Sequence, residues 1–96
     1  MKIMKQVAFE FLKENKTAPF EKVWENAINE LSSDWEEIYK KLDINEIKKL
    51  KIGELYTMLT SDGEFVRNEK EEWSLSKFYS FEEVQKMKIN VGEMGD

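Results

Sequence analysis

The sequence predicts a small α+β domain in which three or four amphipathic helices precede a β-hairpin. Apolar residues recur at three- and four-residue spacing as far as Thr60, which is the signature of helices burying one face. Beyond Asp62-Gly63 that period gives way to two short strand-like runs, Phe65-Val66-Arg67 and Trp73-Ser74-Leu75, around the polar Asn68-Glu69-Lys70-Glu71. The scale is set by 96 residues of 41% apolar content, enough for one core, because chains of this size bury roughly 60 to 65% of the surface they expose when unfolded.

Met4, Val7, Ala8, Phe11 and Leu12 define the first helix, which fades around Asn15. Pro19 has no N–H and pushes Ala18 toward extended geometry, so a new helix starts there, with Pro19 in its first turn and Glu21 near its positive end. Phe20, Val23, Trp24, Ala27, Ile28 and Leu31 form its stripe. Ser32 and Ser33 are expected to interrupt it, with Ser33 and Glu36 as the capping box of a short third helix carrying Trp35, Ile38, Tyr39 and Leu42. Asp43 and Glu46 repeat the signal and open a helix to about Thr60, with Ile44, Ile52, Leu55, Tyr56 and Leu59 on one face. Gly53 weakens its middle and marks a place for a break near Lys51. Gly63 is expected at positive φ, to turn the chain from helix to strand. A brief helix over Phe81–Met87 follows. Residues 1–88 are expected to form the domain and residues 89–96 a flexible C-terminal tail.

Cysteine and histidine are both absent, which removes a disulfide framework, a thiolate nucleophile and the usual zinc spacings. No phosphate-cradling glycine loop and no converging pair of carboxylates is present, since Glu36-Glu37 and Glu71-Glu72 are each adjacent in sequence and point two ways. Asp62-Gly63-Glu64 falls well short of a calcium loop. The expectation is a cytoplasmic chain with no catalytic site, cofactor, metal or small-molecule substrate, and no signal peptide or membrane span.

The net charge of −5 opposes strong general affinity for nucleic acid, yet it is unevenly spread: residues 38–51 carry +3 between two acidic stretches. Lys40, Lys41, Lys48, Lys49 and Lys51 supply that charge, on the short third helix and the start of the long one. They are candidate contacts to a partner or to phosphates, and equally a solvated helix face. With no arginine among them they lack the bidentate fork that reads guanine. Arg67 and Lys70 are further candidates on the hairpin, but Glu64, Glu69, Glu71 and Glu72 surround them and favour a protein partner over a phosphate backbone. Most of the aromatic residues sit at core spacing. Phe78, Tyr79 and Phe81 are too close together to point one way, and are expected to clamp the tail onto the domain rather than form an exposed patch.

Helices followed by a hairpin is winged-helix order, with one extra short helix. In such a fold the third helix of the helix-turn-helix is offered to a groove. The stretch MKQVAFEFLKENKTAPF, Met4 to Phe20, together with IGELYTMLTSDGEF and WSLSKFYSFEEV between Ile52 and Val84, resembles the RNA polymerase delta subunit family of Gram-positive bacteria and their relatives. The family's Tyr-Thr-x-Leu, Asp-Gly-x-Phe and Trp-x-Leu motifs and aromatic pair fall here on Tyr56, Thr57, Leu59, Asp62, Gly63, Phe65, Trp73, Leu75, Phe78 and Tyr79. These motifs mark the turn and wing of the HARE helix-turn-helix fold, which also occurs in chromatin-associated and restriction-associated proteins. Relative to the family, the region from Ser32 to Asp43 resembles an insertion of a turn or two of helix. The family also continues into a long acidic tail, to which its displacement of nucleic acid is attributed, and no such run lies within these 96 residues.

The resemblance implies a non-catalytic accessory subunit that docks on core RNA polymerase and modulates promoter selectivity and enzyme recycling, with at most weak, non-specific contact to nucleic acid. Two other readings stand beside it: a winged-helix DNA-binding regulator holding phosphates through the lysine-rich helix, and an interaction module of an unrelated complex.

Overall fold

The computed structural model of the chain describes residues 2–94, with side chains described as far as Met87. Helix α1, Met4–Asn15, buries Val7, Ala8 and Leu12, as its spacing demands. It stops at Lys16, whose φ of 72° and ψ of −58° reverse the chain while its N–H still donates to the Leu12 carbonyl at 2.8 Å. Thr17–Pro19 then forms a strand, β1, where the sequence suggested only an extended link. Pro19 ends that strand and stands as the N-cap of the next helix rather than in its first turn.

Helix α2 runs without a break over Phe20–Ile38, which corrects the expected interruption at Ser32-Ser33 and removes the separate short helix. Val23, Ala27, Leu31 and Trp35 are all buried at four-residue intervals, and Trp35 stacks on Trp24 with centroids 5.9 Å apart. Serine within a helix costs only about half a kcal/mol relative to alanine. Burying Trp35 on the same stripe outweighs that. The turn after Ile38 leads to Asp43, whose carboxylate accepts the N–H groups of Asn45 at 2.7 Å and Glu46 at 3.2 Å and so starts helix α3, Ile44–Ser61. This helix passes through Gly53 with no break near Lys51.

Gly63 does not have a positive φ, contrary to expectation. The Asp62 carbonyl accepts from the Phe65 N–H at 3.2 Å, and the Asp62 carboxylate accepts from the Glu64 N–H at 2.9 Å. A turn closed by that i to i+3 bond can form with both central residues at negative φ. The positive φ falls instead on Glu71, at 63°, in the hairpin loop. There the Asn68 side-chain oxygen accepts from the N–H groups of Lys70 and Glu72 and organises the loop.

Strands β2, Phe65–Arg67, and β3, Glu72–Leu75, pair antiparallel with Phe65 opposite Leu75 and Arg67 opposite Trp73. β1 pairs with the other edge of β3, giving a three-stranded antiparallel sheet in the order β1-β3-β2. A 3₁₀ turn over Ser76–Phe78 leads to helix α4, Phe81–Met94, longer than the brief helix expected, so that residues 89–94 continue it. The core has two parts. Leu12, Val23, Leu55, Leu59, Phe65, Trp73 and Leu75 lie between the helices and the sheet, while Val7, Ala27, Leu31, Trp35 and Ile47 seal α1, α2 and α3 together. Met4 and Trp24 pack against both.

Candidate functional site

The five lysines of the basic segment do not act as one set. Lys51 lies one turn from both Ile47 and Leu55, which are fully buried, so α3 turns it inward. Its side chain is 14% exposed, its ammonium pairs with Glu54 at 2.9 Å, and it sits 5.0 Å from the centre of the Tyr39 ring. Burial works to lower its pKa, but the hydrogen bonds its ammonium makes to Glu54 and Tyr39 hold it above the usual lysine value. Lys51 is therefore a structural cation. Lys40 and Lys41 are exposed on the turn between α2 and α3, Lys49 is exposed on α3, and Lys48 is partly covered beside it.

Asn45, Lys49, Ile52, Tyr56 and Thr60 follow one another at spacings of three and four along α3 and are all exposed. Ile52 and Tyr56 are 38% and 47% exposed, which corrects their expected place on the buried face. The buried face is carried by Ile47, Leu55 and Leu59. The Tyr56 ring meets the edge of Phe20 with centroids 5.7 Å apart, which fixes its position at the surface. This outward stripe carries an aromatic and an aliphatic side chain, one cation and no acid.

On the hairpin, Lys70 is exposed at the loop, but Arg67 is only 15% exposed and pairs with Glu71 at 3.1 Å. Of the motif residues, Leu59, Phe65, Trp73 and Leu75 are buried, Tyr79 is partly buried, and Asp62 and Gly63 form the turn. Asp62 also accepts from Lys5 of α1 at 2.9 Å; the Glu64 N–H and then Lys5 hold its carboxyl below the usual aspartate value. The aromatic trio divides: Phe78 packs on the core with Lys16 4.6 Å over its ring, while Phe81 is 77% exposed.

Among the described residues no group of three or more acidic, histidine or cysteine side chains could hold a metal ion, and no helix is long and apolar enough to cross a membrane. Compared with known proteins, the chain matches no family model, no curated protein and no solved structure.

Proposed function

We propose that the chain is a winged-helix interaction domain with no active site of its own, a cytoplasmic accessory subunit that docks on core RNA polymerase and modulates transcription. The element order α1-β1-α2-α3-β2-β3 and the sheet order β1-β3-β2 support the winged-helix reading, with α3 as the presented helix and β2-β3 as the wing. The partner comes from the resemblance of the Tyr-Thr-x-Leu, Asp-Gly-x-Phe and Trp-x-Leu motifs to the polymerase delta subunit family.

The observation that carries the reading is the outward stripe of α3. A helix built to lie on phosphates presents cations and small polar groups; here Ile52 and Tyr56 occupy the centre of the exposed stripe. Exposed aromatic and aliphatic side chains within a polar rim are the usual anchors of a protein interface. The runner-up, a DNA-binding regulator, is favoured by Lys40, Lys41, Lys48 and Lys49, which stay available at the same end of α3.

Purified core polymerase from a Gram-positive bacterium, immobilised and titrated with the domain, tests the docking face. Ile52→Ser combined with Tyr56→Ala is expected to weaken binding by about tenfold or more while leaving the melting curve close to the parent's, because neither side chain is in the core. Unchanged binding of the double variant, or no binding of the parent, would remove the proposed face or the proposed partner respectively.

A further inference from the structure

Helix α1 and the 3₁₀ turn bring together lysines that the exposed stripe of α3 does not include. Lys13 lies one turn beyond Phe9, and Lys16 stands where α1 ends. Lys77 joins them from the 3₁₀ turn, with its ammonium 5.0 Å from the centre of the Phe9 ring and 5.9 Å from that of Phe78. Lys16 stands over the same Phe78 ring at 4.6 Å. All three lysines are exposed, while Phe9 and Phe78 are partly buried and pack against the core. A shallow groove of about 460 Å³ runs along α1 beside Phe9, with Ile3, Gln6 and Lys13 among its lining residues. Its described lining comes from the start of the chain, from α1 and from Glu64, with no residue of α4, and Ile3 is 65% exposed.

The acids of this groove are already engaged: Glu10 pairs with Lys2 at 3.0 Å and Glu64 with Lys5 at 3.5 Å. None of the ion pairs among the described residues involves Lys13, Lys16 or Lys77. Two of these ammonium groups share the Phe78 ring, so like charges are held close together, and an anion brought beside them relieves their repulsion. The backbone adds an independent observation. Lys16 has a φ of 72°, in the left-handed region where a Cβ is strained and glycine is not. The Ser74 hydroxyl donates to its carbonyl at 2.6 Å and fixes it there. Glycine would end α1 with less strain, and Lys13 already supplies the cation that the negative end of the helix favours. What lysine adds at position 16 is a charge in a fixed place.

We propose that the α1 groove and its lysine end bind an acidic segment of a partner protein. Carboxylates of the segment meet Lys13, Lys16 and Lys77, and its apolar side chains lie on Ile3 and Phe9. Charge complementarity selects this occupant, because three unpaired cations converge on a chain whose net charge is −5. A nucleic-acid strand suits the surface less well. The Phe9 and Phe78 rings pack on the core and each already carries a lysine, so neither offers an open face for a base to stack on. The acidic remainder of the chain also repels a long polyanion. The groove lies on α1 and the polymerase-docking stripe on α3, so a negative result with polymerase leaves this site standing.

The test is an amide NMR titration of the full chain with a blocked peptide of glutamate and leucine, its counterpart with glutamine for every glutamate, and oligothymidylate of matching charge. The glutamate peptide is expected to shift the amides of Phe9, Lys13, Lys16 and Lys77 and to bind about tenfold or more tightly than the glutamine peptide. Replacing Lys13, Lys16 and Lys77 together by glutamine is expected to remove that preference. Lys16→Gly keeps the proposal testable should the triple variant fail to fold. It relieves the backbone strain, so it is expected to melt no lower than the parent while binding the glutamate peptide about threefold more weakly. Equal binding of the two peptides, binding of neither, or shifts confined to other residues overturns the proposal. So does a preference that survives the triple substitution, undiminished binding by Lys16→Gly, or oligothymidylate that binds as tightly as the glutamate peptide, since the surface would then hold nucleic acid.

Discussion

Ser74 is the one buried polar side chain among the described residues, and its hydroxyl donates to the Lys16 carbonyl at 2.6 Å across 58 residues of sequence. That bond fixes the unusual backbone of Lys16, where α1 turns into β1, and so holds the edge strand in the sheet. Ser74→Ala is expected to destabilise the domain by about 1 to 3 kcal/mol, since it removes the buried hydroxyl that donates to the Lys16 carbonyl at a part-buried position. Denaturant unfolding measures it, and a change below about 0.5 kcal/mol would mean that water replaces the hydroxyl. Trp73, 2% exposed next to it in β3, lines the core between sheet and helices. Trp73→Ala is expected to cost about 3 to 5 kcal/mol in the same experiment, and a variant close to the parent would show that the hairpin does not close the core.

At the scale of elements, the helical spacing, the Asp43 cap and the two hairpin strands were legible because each is a local pattern read over a few residues. Three features were not. Ser32-Ser33 resembles a cap in isolation, and only the burial of Trp35 four residues beyond Leu31 shows that α2 continues. β1 is three residues long and exists because β3 pairs with it, a contact made across more than fifty residues. The sequence pattern groups Ile44, Ile52, Leu55, Tyr56 and Leu59 on one face of α3; Leu55 and Leu59 are buried there, but Ile47, packed against Val7, Ala27, Leu31 and Trp35, takes the place of Ile52 and Tyr56. One local signal went unused: Ser80 and Glu83 exchange backbone and side-chain bonds of 3.1 and 3.2 Å in a capping box that starts α4. Gly53 lies inside α3 with nothing within 4 Å of where a Cβ would stand. Gly53→Ala is therefore expected to stabilise the domain by about 0.8 to 1 kcal/mol, seen as a higher midpoint at unchanged slope; a loss of stability would show that the helix needs the glycine's flexibility.

Over the whole molecule, the candidate cations were legible as a count and a segment, but not as a surface. Folding turns Lys51 and Arg67 inward onto Glu54 and Glu71, and leaves Lys40 and Lys41 exposed on the turn before α3 and Lys49 exposed within it, with Lys48 partly covered, on a chain of net charge −5. Such a distribution favours approach to a partner of mixed charge, and the acidic remainder repels a duplex at long range. The most direct test of protein docking over DNA reading is to measure, side by side, the affinity of the unmodified domain for core RNA polymerase and for duplex DNA from about 50 to about 200 mM salt. Polymerase binding is expected to persist across that range, with duplex binding no tighter than about 10⁻⁴ to 10⁻⁶ M and falling steeply with salt. A sequence-specific duplex complex of nanomolar affinity at about 150 mM salt, with no binding to polymerase, would contradict the account.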